Sequence, residues 1–420
     1  MKNELKLPTG WKLNKFKTIF TTEKGLSITK ENLQDEGLAV VNYGQIHSIK
    51  GMEINCKFDN LPFISLKYLK RAKSALLNYG DFVFADTSED IDGSGNFKMN
   101  VSEDGLIFAG YHSIIARLKN SNHPRYFMYL FESDWFRCQI QDSVSGVKVY
   151  SVTQLILKNT KVIRPSFPEQ IAIAEFLDNK VSAMDKSINL LELEVKVLGE
   201  FKKSLIYETV TKGLNSSVKM KDSGVKWIGK IPENWEVKRL KYVMDNHDSK
   251  RQPIEASERS QVGETLYDYY GASGVVDKID DYIFDMDALL IGEDGANLVM
   301  RSLPLIYIAK GKYWVNNHAH ILTPKENHDL TYMAFLMETL DYSDFITGSA
   351  QPKLSQEKLN NILLLTPPYI EQLEISKYLV YKTENIDKIL DEKKVELKLL
   401  KQIRKSIIFE YVTGKKRVDL

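Results

Sequence analysis

The chain has 420 residues, with 57 basic and 56 acidic side chains for a formal net charge of +1, 43% hydrophobic and 27% charged. That is the balance of an ordinary globular protein with room for two or more cores, and it excludes a low-complexity chain and a uniformly basic polyelectrolyte. Two cysteines, Cys56 and Cys138, exclude a disulfide framework and stand in no metal-type spacing. No basic-then-apolar leader and no apolar run of membrane-spanning length is present, so a cytoplasmic protein without a membrane partner is expected. In chain order, Leu7-Pro8-Thr9-Gly10-Trp11 opens a region with short apolar strands at Leu38 to Tyr43 and Asp81 to Ala85 and a short helix at Pro124 to Arg137. A long helix starts after Pro165 and ends at Val210-Thr211, and the small polar stretch Gly213 to Gly224 reads as a linker. Ile231-Pro232-Glu233-Asn234-Trp235 then opens a second region, with strands at Tyr282 to Phe284, Ala288 to Gly292 and Tyr313 to Val315 and a helix at Leu330 to Tyr342. A second long helix follows Pro367.

The chain repeats itself. Pro165-Ser166-Phe167-Pro168-Glu169-Gln170-Ile171 is answered by Pro367-Pro368-Tyr369-Ile370-Glu371-Gln372-Leu373, 202 residues on. The register holds from Phe176 and Tyr378 through Lys203 to Glu208 and Lys405 to Glu410, closing on Val210-Thr211 and Val412-Thr413. The opening Pro-x-x-Trp motifs, Pro8 and Pro232, lie 224 apart. The interiors, Lys15 to Arg164 and Arg239 to Thr366, show no run of identity, which is the pattern of a common frame carrying two different readers.

The repeated segments carry a heptad seam. It runs through Leu177, Val181, Met184, Ile188, Leu191, Val195 and Leu198, and in the second copy through Leu379, Thr383, Ile386, Leu390, Lys393, Leu397 and Leu400. Each helix, about 45 residues at ~1.5 Å each, would extend on the order of 65 Å, and its natural partner is the other copy. Glu169 and Glu371 suit the positive helix N-terminus. The expected fold is α+β: two globular domains alternating with two long helices that pair as an antiparallel coiled coil. The expected boundaries are a first domain at 1–164, a first helix at 165–213, a linker at 214–230, a second domain at 231–364 and a second helix at 365–413.

These openings, helix starts and helix ends resemble the specificity subunit of type I restriction-modification systems. In the second interior, Tyr269-Tyr270-Gly271-Ala272-Ser273-Gly274, Leu290 to Ala296, Trp314-Val315-Asn316-Asn317-His318-Ala319-His320 and Gly348-Ser349-Ala350-Gln351-Pro352-Lys353-Leu354-Ser355 look like a common class of target recognition domain. The first interior departs from it, with Gly146-Val147-Lys148-Val149 where a Gln-Pro-Lys-Leu run would stand.

Catalytic readings find little support. Gly93-Ser94-Gly95-Asn96-Phe97 looks like the S-adenosylmethionine loop of N6-adenine methyltransferases, and Thr366-Pro367-Pro368-Tyr369 looks like their Pro-Pro-Tyr loop. No helical apolar face follows the first, and Thr366 replaces the Asp, Asn or Ser of the second. A methyltransferase acting alone is therefore the lesser alternative, beside a coiled-coil adaptor displaying two protein-binding domains. His318 and His320 lack a third ligand nearby in sequence, Glu293-Asp294 reads as a turn, and no Gly-Lys-Ser/Thr phosphate loop is present.

The resemblance implies a non-catalytic subunit that reads an asymmetric bipartite site in double-stranded DNA. It would direct N6-adenine methylation and restriction by two modification subunits and by translocating restriction subunits. S-adenosylmethionine, ATP and magnesium would sit on those partners and no cofactor on this chain, while the helices set the unread spacer and dock the modification subunits. Candidate DNA contacts are Gln351, Lys353, Ser349, Asn316, Asn317, Arg301 and Lys312 in the second domain and Lys148 in the first. Candidate helix-pairing residues are Leu177, Met184, Ile188, Leu191, Leu198, Leu379, Ile386, Leu390, Leu397 and Leu400.

Overall fold

The computed structural model describes residues 6–418 apart from 120, 147, 226–227, 256, 258, 260–264 and 349–350. The chain divides into two compact units, Met1–Glu192 with Val395–Leu420, and Leu193–Lys394. Each unit therefore holds one globular domain, the first part of the helix that follows it, and the last part of the other helix.

In the first unit the strands include β1 (Lys12–Lys15), β2 (Phe20–Lys24), β3 (Leu38–Val41), β4 (Glu53–Ile54), β5 (Phe63–Ile64), β6 (Leu76–Leu77), β7 (Phe82–Ala85), β8 (Phe97–Asn100), β9 (Ile107–Ala109) and β10 (Ser113–Leu118), besides the two-residue pair Thr87–Ser88 and Tyr150–Ser151. Helix α1 (Pro124–Glu132) and β11 (Lys161–Arg164) lead into the long helix α2 (Phe167–Lys212). One sheet has the order β2-β10-β7-β8-β4 and a second the order β5-β3-β9-β6, while β1 pairs with β11. Strands β3 and β7 are buried along their whole length, which is why they read as continuous apolar runs.

The second unit's domain holds β12 (Glu236–Arg239), β13 (Met244–Asn246), β14 (Tyr267–Gly271), β15 (Gly274–Ile279), β16 (Phe284–Asp285), β17 (Ala288–Gly292), β18 (Ile306–Ala309), β19 (Lys312–Val315) and β20 (Ala319–Pro324). Helix α3 (Leu330–Thr339) and β21 (Leu363–Thr366) precede the long helix α4 (Tyr369–Val412). The sheets run β13-β20-β17-β18 and β15-β14-β19-β16, with β12 on β21. In both domains the second sheet has one central parallel pair, β3 with β9 and β14 with β19, flanked by antiparallel edges. The interiors that share no visible sequence identity thus share their topology, apart from β4, an additional edge strand of the first domain's first sheet. Burial constrains only the apolar character of a strand, so unlike sequences can satisfy the same pleat.

Some local expectations shift. The helix expected through Arg137 breaks at Ser133, whose extended backbone and hydroxyl cap a second helix, Asp134–Gln141. The linker contains a ribbon, Met220–Asp222 on Lys230–Pro232.

The long helices pair antiparallel within each unit. In the first, Phe176 packs on Tyr411 with the rings tilted and 4.3 Å between their centroids, Asp185 takes the Arg404 guanidinium at 2.6 and 3.3 Å, and Glu192 meets Lys401 at 2.7 Å. In the second, Glu194 meets Lys393 at 3.0 Å and Lys202 meets Asp387 at 2.6 Å. Partner numbers fall along α4 as they rise along α2. Leu177, Ile188, Leu191, Leu379, Ile386 and Leu390 are buried, and Met184, Leu198, Leu397 and Leu400 half-buried. The two polar interruptions of the seam are satisfied: Thr383 donates its hydroxyl to the Leu379 carbonyl, and Lys393 pairs with Glu194.

The repeated motifs build one joint twice. Gln170, buried at the start of α2, donates to the Pro165 carbonyl at 3.0 Å and accepts the His123 N–H at 2.9 Å; Gln372 donates to Pro367 at 2.8 Å and accepts from Asp329 at 2.9 Å. Each glutamine thereby ties strand end, long helix and short helix together. Tyr126 of α1 donates to the Val412 carbonyl and Tyr332 of α3 to the Val210 carbonyl, both at 3.2 Å, so each domain caps the end of the other repeat's helix. Gly213 and Gly414 follow those ends in the left-handed region, φ +76° and +75°, where added Cβ atoms would press on Trp235 and on Pro8 and Trp11.

The copies differ at the opening tryptophan. Trp11 donates its indole N–H to Glu169 at 3.0 Å, whereas the buried indole N–H of Trp235 has no hydrogen-bond partner. Burial would raise the Glu169 pKa, but hydrogen bonds from Trp11, Ser166 and Arg417 prevail and lower it to about 2. A carboxylate depressed in the folded state stabilises fully above its ordinary pKa, and that contribution disappears as pH falls from about 4.5 towards 2. Urea unfolding of the wild type should therefore weaken over that window relative to Glu169→Gln. Parallel loss in both proteins would contradict it.

Candidate nucleic-acid interface

In the second domain the motif segments of the sequence converge at one sheet corner. Residues Asn316 to His318 turn the chain from β19 into β20, Glu293 to Gly295 leave the end of β17, and Pro352 to Leu354 lie against both. The Glu293 N–H donates to the His318 carbonyl at 2.8 Å, Gly295 to Pro352 at 3.1 Å, and Leu354 to Glu293 at 2.8 Å.

Beneath them is a buried polar staple. Asp248 faces His320 Nδ1 at 2.5 Å and accepts the Ile321 N–H at 3.0 Å, and His320 Nε2 contacts the Leu354 carbonyl at 2.8 Å. Glu293 takes Arg251 at 2.5 Å and Lys353 at 3.0 Å, and Arg251 also donates to the Ala319 carbonyl at 3.0 Å. Burial pushes both carboxyl groups up, yet His320, Ile321 and Arg251 hold Asp248 below the usual carboxylate range, and Arg251, Lys353 and His320 do the same for Glu293. Asp248, Glu293 and His320 have ligand atoms within 4.8 Å of one another, so His320, unlike His318, does meet two further metal-type ligands. Their capacity is taken up: both imidazole nitrogens face protein acceptors and both carboxylates face protein donors. His318 pairs instead with Asp294 at 2.8 Å.

The candidate contact residues sort by what the staple leaves free. Gln351 and Asn317 are exposed, and Lys353 keeps about half of its side chain exposed although it pairs with Glu293. Lys312 is exposed, its ammonium 4.3 Å from the Tyr282 ring centroid. Asn316 is buried and its side-chain oxygen accepts the His318 N–H, so it shapes the turn. Arg301 donates to the Leu340 carbonyl at 2.9 Å and the Glu338 carbonyl at 2.5 Å, which fastens its own left-handed turn to α3. Ser349 lies outside the described residues.

The first domain presents the same corner differently. Gly110, Tyr111 and His112 join β9 to β10; a Cβ on Gly110 would fall 1.9 Å from Asn42 Oδ1, which accepts the Tyr111 N–H at 3.1 Å. His112 pairs with Asp86 at 3.1 Å, and Lys148 is exposed in the loop before Tyr150–Ser151, whose strand pairs with Thr87–Ser88. Where the second domain has its staple, the first has a cleft of about 540 Å³ lined by Lys24, Asp86, His112, Ser151 and Gln154. The interiors also differ in charge, 19 basic against 16 acidic residues over 15–164 and 12 against 19 over 239–366.

Sequence spacing did not reveal Asp248 or Arg251, some 70 residues from His320. The available signal was that buried histidines require partners. The methyltransferase-like hooks are structural: Gly93 to Gly95 turn into the buried strand β8, with a Cβ on Gly93 blocked by Ser88, and the Thr366 hydroxyl donates to the Glu236 carbonyl.

Two like-folded domains, each ending in a paired helix and presenting different side chains at one corner, define a modular recognition protein. The family model for the type I restriction modification DNA specificity domain matches residues 8–193 and 232–399, and the chain belongs to that family. It is a non-catalytic DNA specificity subunit of the type I restriction-modification class. It is 32% identical over 156 residues to a putative type I restriction enzyme specificity subunit of Haemophilus influenzae, a match spanning 36% of this chain and 39% of that relative. A putative type I restriction enzyme specificity subunit of Methanocaldococcus jannaschii is 24% identical over 98% of this chain and 95% of its own length. A chain from a structure of complex assembly in a type I R-M system superposes with a TM-score of 0.70 at 16% identity, over 98% of this chain and all of the other, and shares its fold. Among the described residues no helix is long and apolar enough to cross a membrane.

Proposed function

We propose that the chain reads an asymmetric bipartite site in duplex DNA, one half-site per domain, and directs N6-adenine methylation and cleavage by partner subunits. The observation that carries this reading is the shared sheet corner with unlike side chains: the scaffold repeats, and the surface it offers to base edges does not. In the second domain Gln351, Asn317, Lys353 and Lys312 would reach the DNA, with Asn316 and Arg301 holding their turns. In the first, Lys148 occupies the loop equivalent to that of Gln351.

Two modification subunits would dock on the long helices. Leu193, Val197 and Phe201 on α2, and Val395, Leu399 and Ile403 on α4, form exposed apolar stripes at helical spacing that the antiparallel seam does not use. S-adenosylmethionine would sit on those subunits, which flip the target adenine, and ATP and magnesium on the restriction subunits. The complex would work in the cytoplasm.

Single-molecule sequencing for N6-methyladenine tests the reading in cells carrying this chain, its cognate modification subunit, or both. Methylation of one asymmetric bipartite motif is expected only with both. Methylation by the chain alone, or none with a modification subunit shown active beside another specificity chain, would overturn it. Exchange of residues 239–366 for the equivalent region of a relative should replace one half of the motif and leave the other intact.

A further inference from the structure

The first domain carries a run of cations between β5 and β6: Lys67-Tyr68-Leu69-Lys70-Arg71-Ala72-Lys73, with no acidic residue from Leu61 to Gly80. Residues Tyr68–Arg71 form a helical turn, followed by a 3-10 turn at Lys73–Ala75. Tyr68, Leu69 and Ala72 pack on the core of the sheet behind them, and Lys67, Lys70, Arg71 and Lys73 are exposed. None of these four cations has an acidic partner among the described residues; the Lys67 ammonium lies 5.5 Å from the Tyr68 ring centroid. Some other cations of this domain are paired, as Lys57 is with Asp104 and Arg125 with Glu53, while Lys12, Lys17, Lys24 and Lys30 are exposed without an ion pair among the described residues. What sets this turn apart is four cations within seven residues.

The turn is fastened at its C-terminal end. Arg117 donates to the carbonyls of Ser74 and Leu76 at 2.7 and 2.6 Å, and its guanidinium is fixed by Asp81 at 3.0 Å and Glu23 at 2.9 Å. In the register of the sheet Leu76 faces Phe108, so the basic turn enters β6 at the end of β9 that continues into Gly110, Tyr111 and His112. It therefore leads to the corner assigned above to the first half-site. In the second domain the topologically equivalent connection, between β15 and β16, reads Asp280-Asp281-Tyr282-Ile283 and has the opposite sign.

We propose that this turn grips the DNA phosphate backbone beside the first half-site, so that the first domain supplies a sequence-independent share of affinity that the second does not. The proposal rests on the DNA-recognition reading. Lys67 to Lys73 are six residue steps apart, about 9 Å at a helical rise, and that length of duplex axis carries roughly five phosphates over its two strands, enough for all four cations. The turn contributes through counterion release, not through base edges.

The test is equilibrium binding of the complex with modification subunits to duplexes bearing its methylated motif, across a salt series. Replacing Lys67, Lys70, Arg71 and Lys73 together by Gln should reduce the slope of log affinity against log salt by about three to four, weaken binding at least tenfold near physiological salt, and leave the motif unchanged. The variant that exchanges Lys for Arg and Arg71→Lys should keep the wild-type slope. An unchanged slope in the Gln variant overturns the proposal, as does loss of slope in the charge-preserving variant. An altered motif would assign the turn to base reading, and failure to co-purify with the modification subunits would assign it to a protein partner; either also overturns it. A wild-type complex that binds no duplex would defeat the underlying reading instead.

Discussion

Gln372→Ala is expected to destabilise the unit Leu193–Lys394 by about 2 kcal/mol, because truncation strands a buried carbonyl and a half-buried N–H at once. The amide donates to the Pro367 carbonyl, at the end of β21, and accepts the Asp329 N–H, which opens α3. Gln372 and Pro367 are buried, so that carbonyl is left without a partner, while Asp329 is half-buried. Asp329 has a further duty as the N-cap of α3, accepting from Tyr332 at 2.8 Å, so loss of its anchor also loosens that helix start. Gln170→Ala should cost a similar amount in the first unit, where the amide additionally reaches Asn122 at 3.3 Å. Gln372→Glu keeps the acceptor but sets a carboxylate against a carbonyl, and should recover little. Chemical denaturation measures the effect; a loss below about 0.5 kcal/mol would show that water replaces the glutamine and that the Glu-Gln motif has another purpose.

Glu293→Ala should be as damaging and should act on recognition as well. The carboxylate is the shared partner of Arg251 and Lys353, and removing it leaves a largely buried guanidinium with only Asp248, at 3.7 Å and already engaged by His320, as countercharge. Breaking a buried pair from one side costs about 3 kcal/mol or more, because desolvation of the remaining charge is no longer offset. Lys353 is half exposed and contributes little to that figure. Its release instead frees the loop from Gln351 onward, so methylation should fall at least tenfold while assembly with the modification subunits persists. Glu293→Gln retains hydrogen bonds without the charge and should fall between. Since Asp248 and Glu293 both titrate below the usual carboxylate range, their contribution is complete at neutral pH and is lost on acidification below that range. Undiminished methylation by a folded Glu293→Ala protein would show that the staple supports the fold alone.

Much of this architecture is legible in the chain because it is local and periodic. The heptad seam shows as spacing, and the repeat at 202 residues announces two joints of one design. The polar breaks at Thr383 and Lys393 required structure to explain, since their partners are a backbone carbonyl of the same helix and Glu194 of the other. Among the contact candidates, Gln351, Asn317, Lys312 and Lys148 emerge exposed. Arg301 and Asn316 prove occupied, because a motif that recurs for framing a turn looks in sequence like one that reads a base.

By itself the amino-acid sequence determined the two-copy plan and the two long heptad helices, which follow from hydrophobic period, and its motif order carried the resemblance to a DNA-specificity family. Tertiary structure alone decided that the unlike interiors have one topology. It also decided that Asp248 and Arg251 meet Glu293, His320 and Lys353, and that the cations of Lys67 to Lys73 stand without acidic partners among the described residues. The physical reason is range. Periodicity is set by backbone geometry over a few residues, whereas the pairing of a buried charge depends on which distant strand ends the sheets bring within hydrogen-bonding distance.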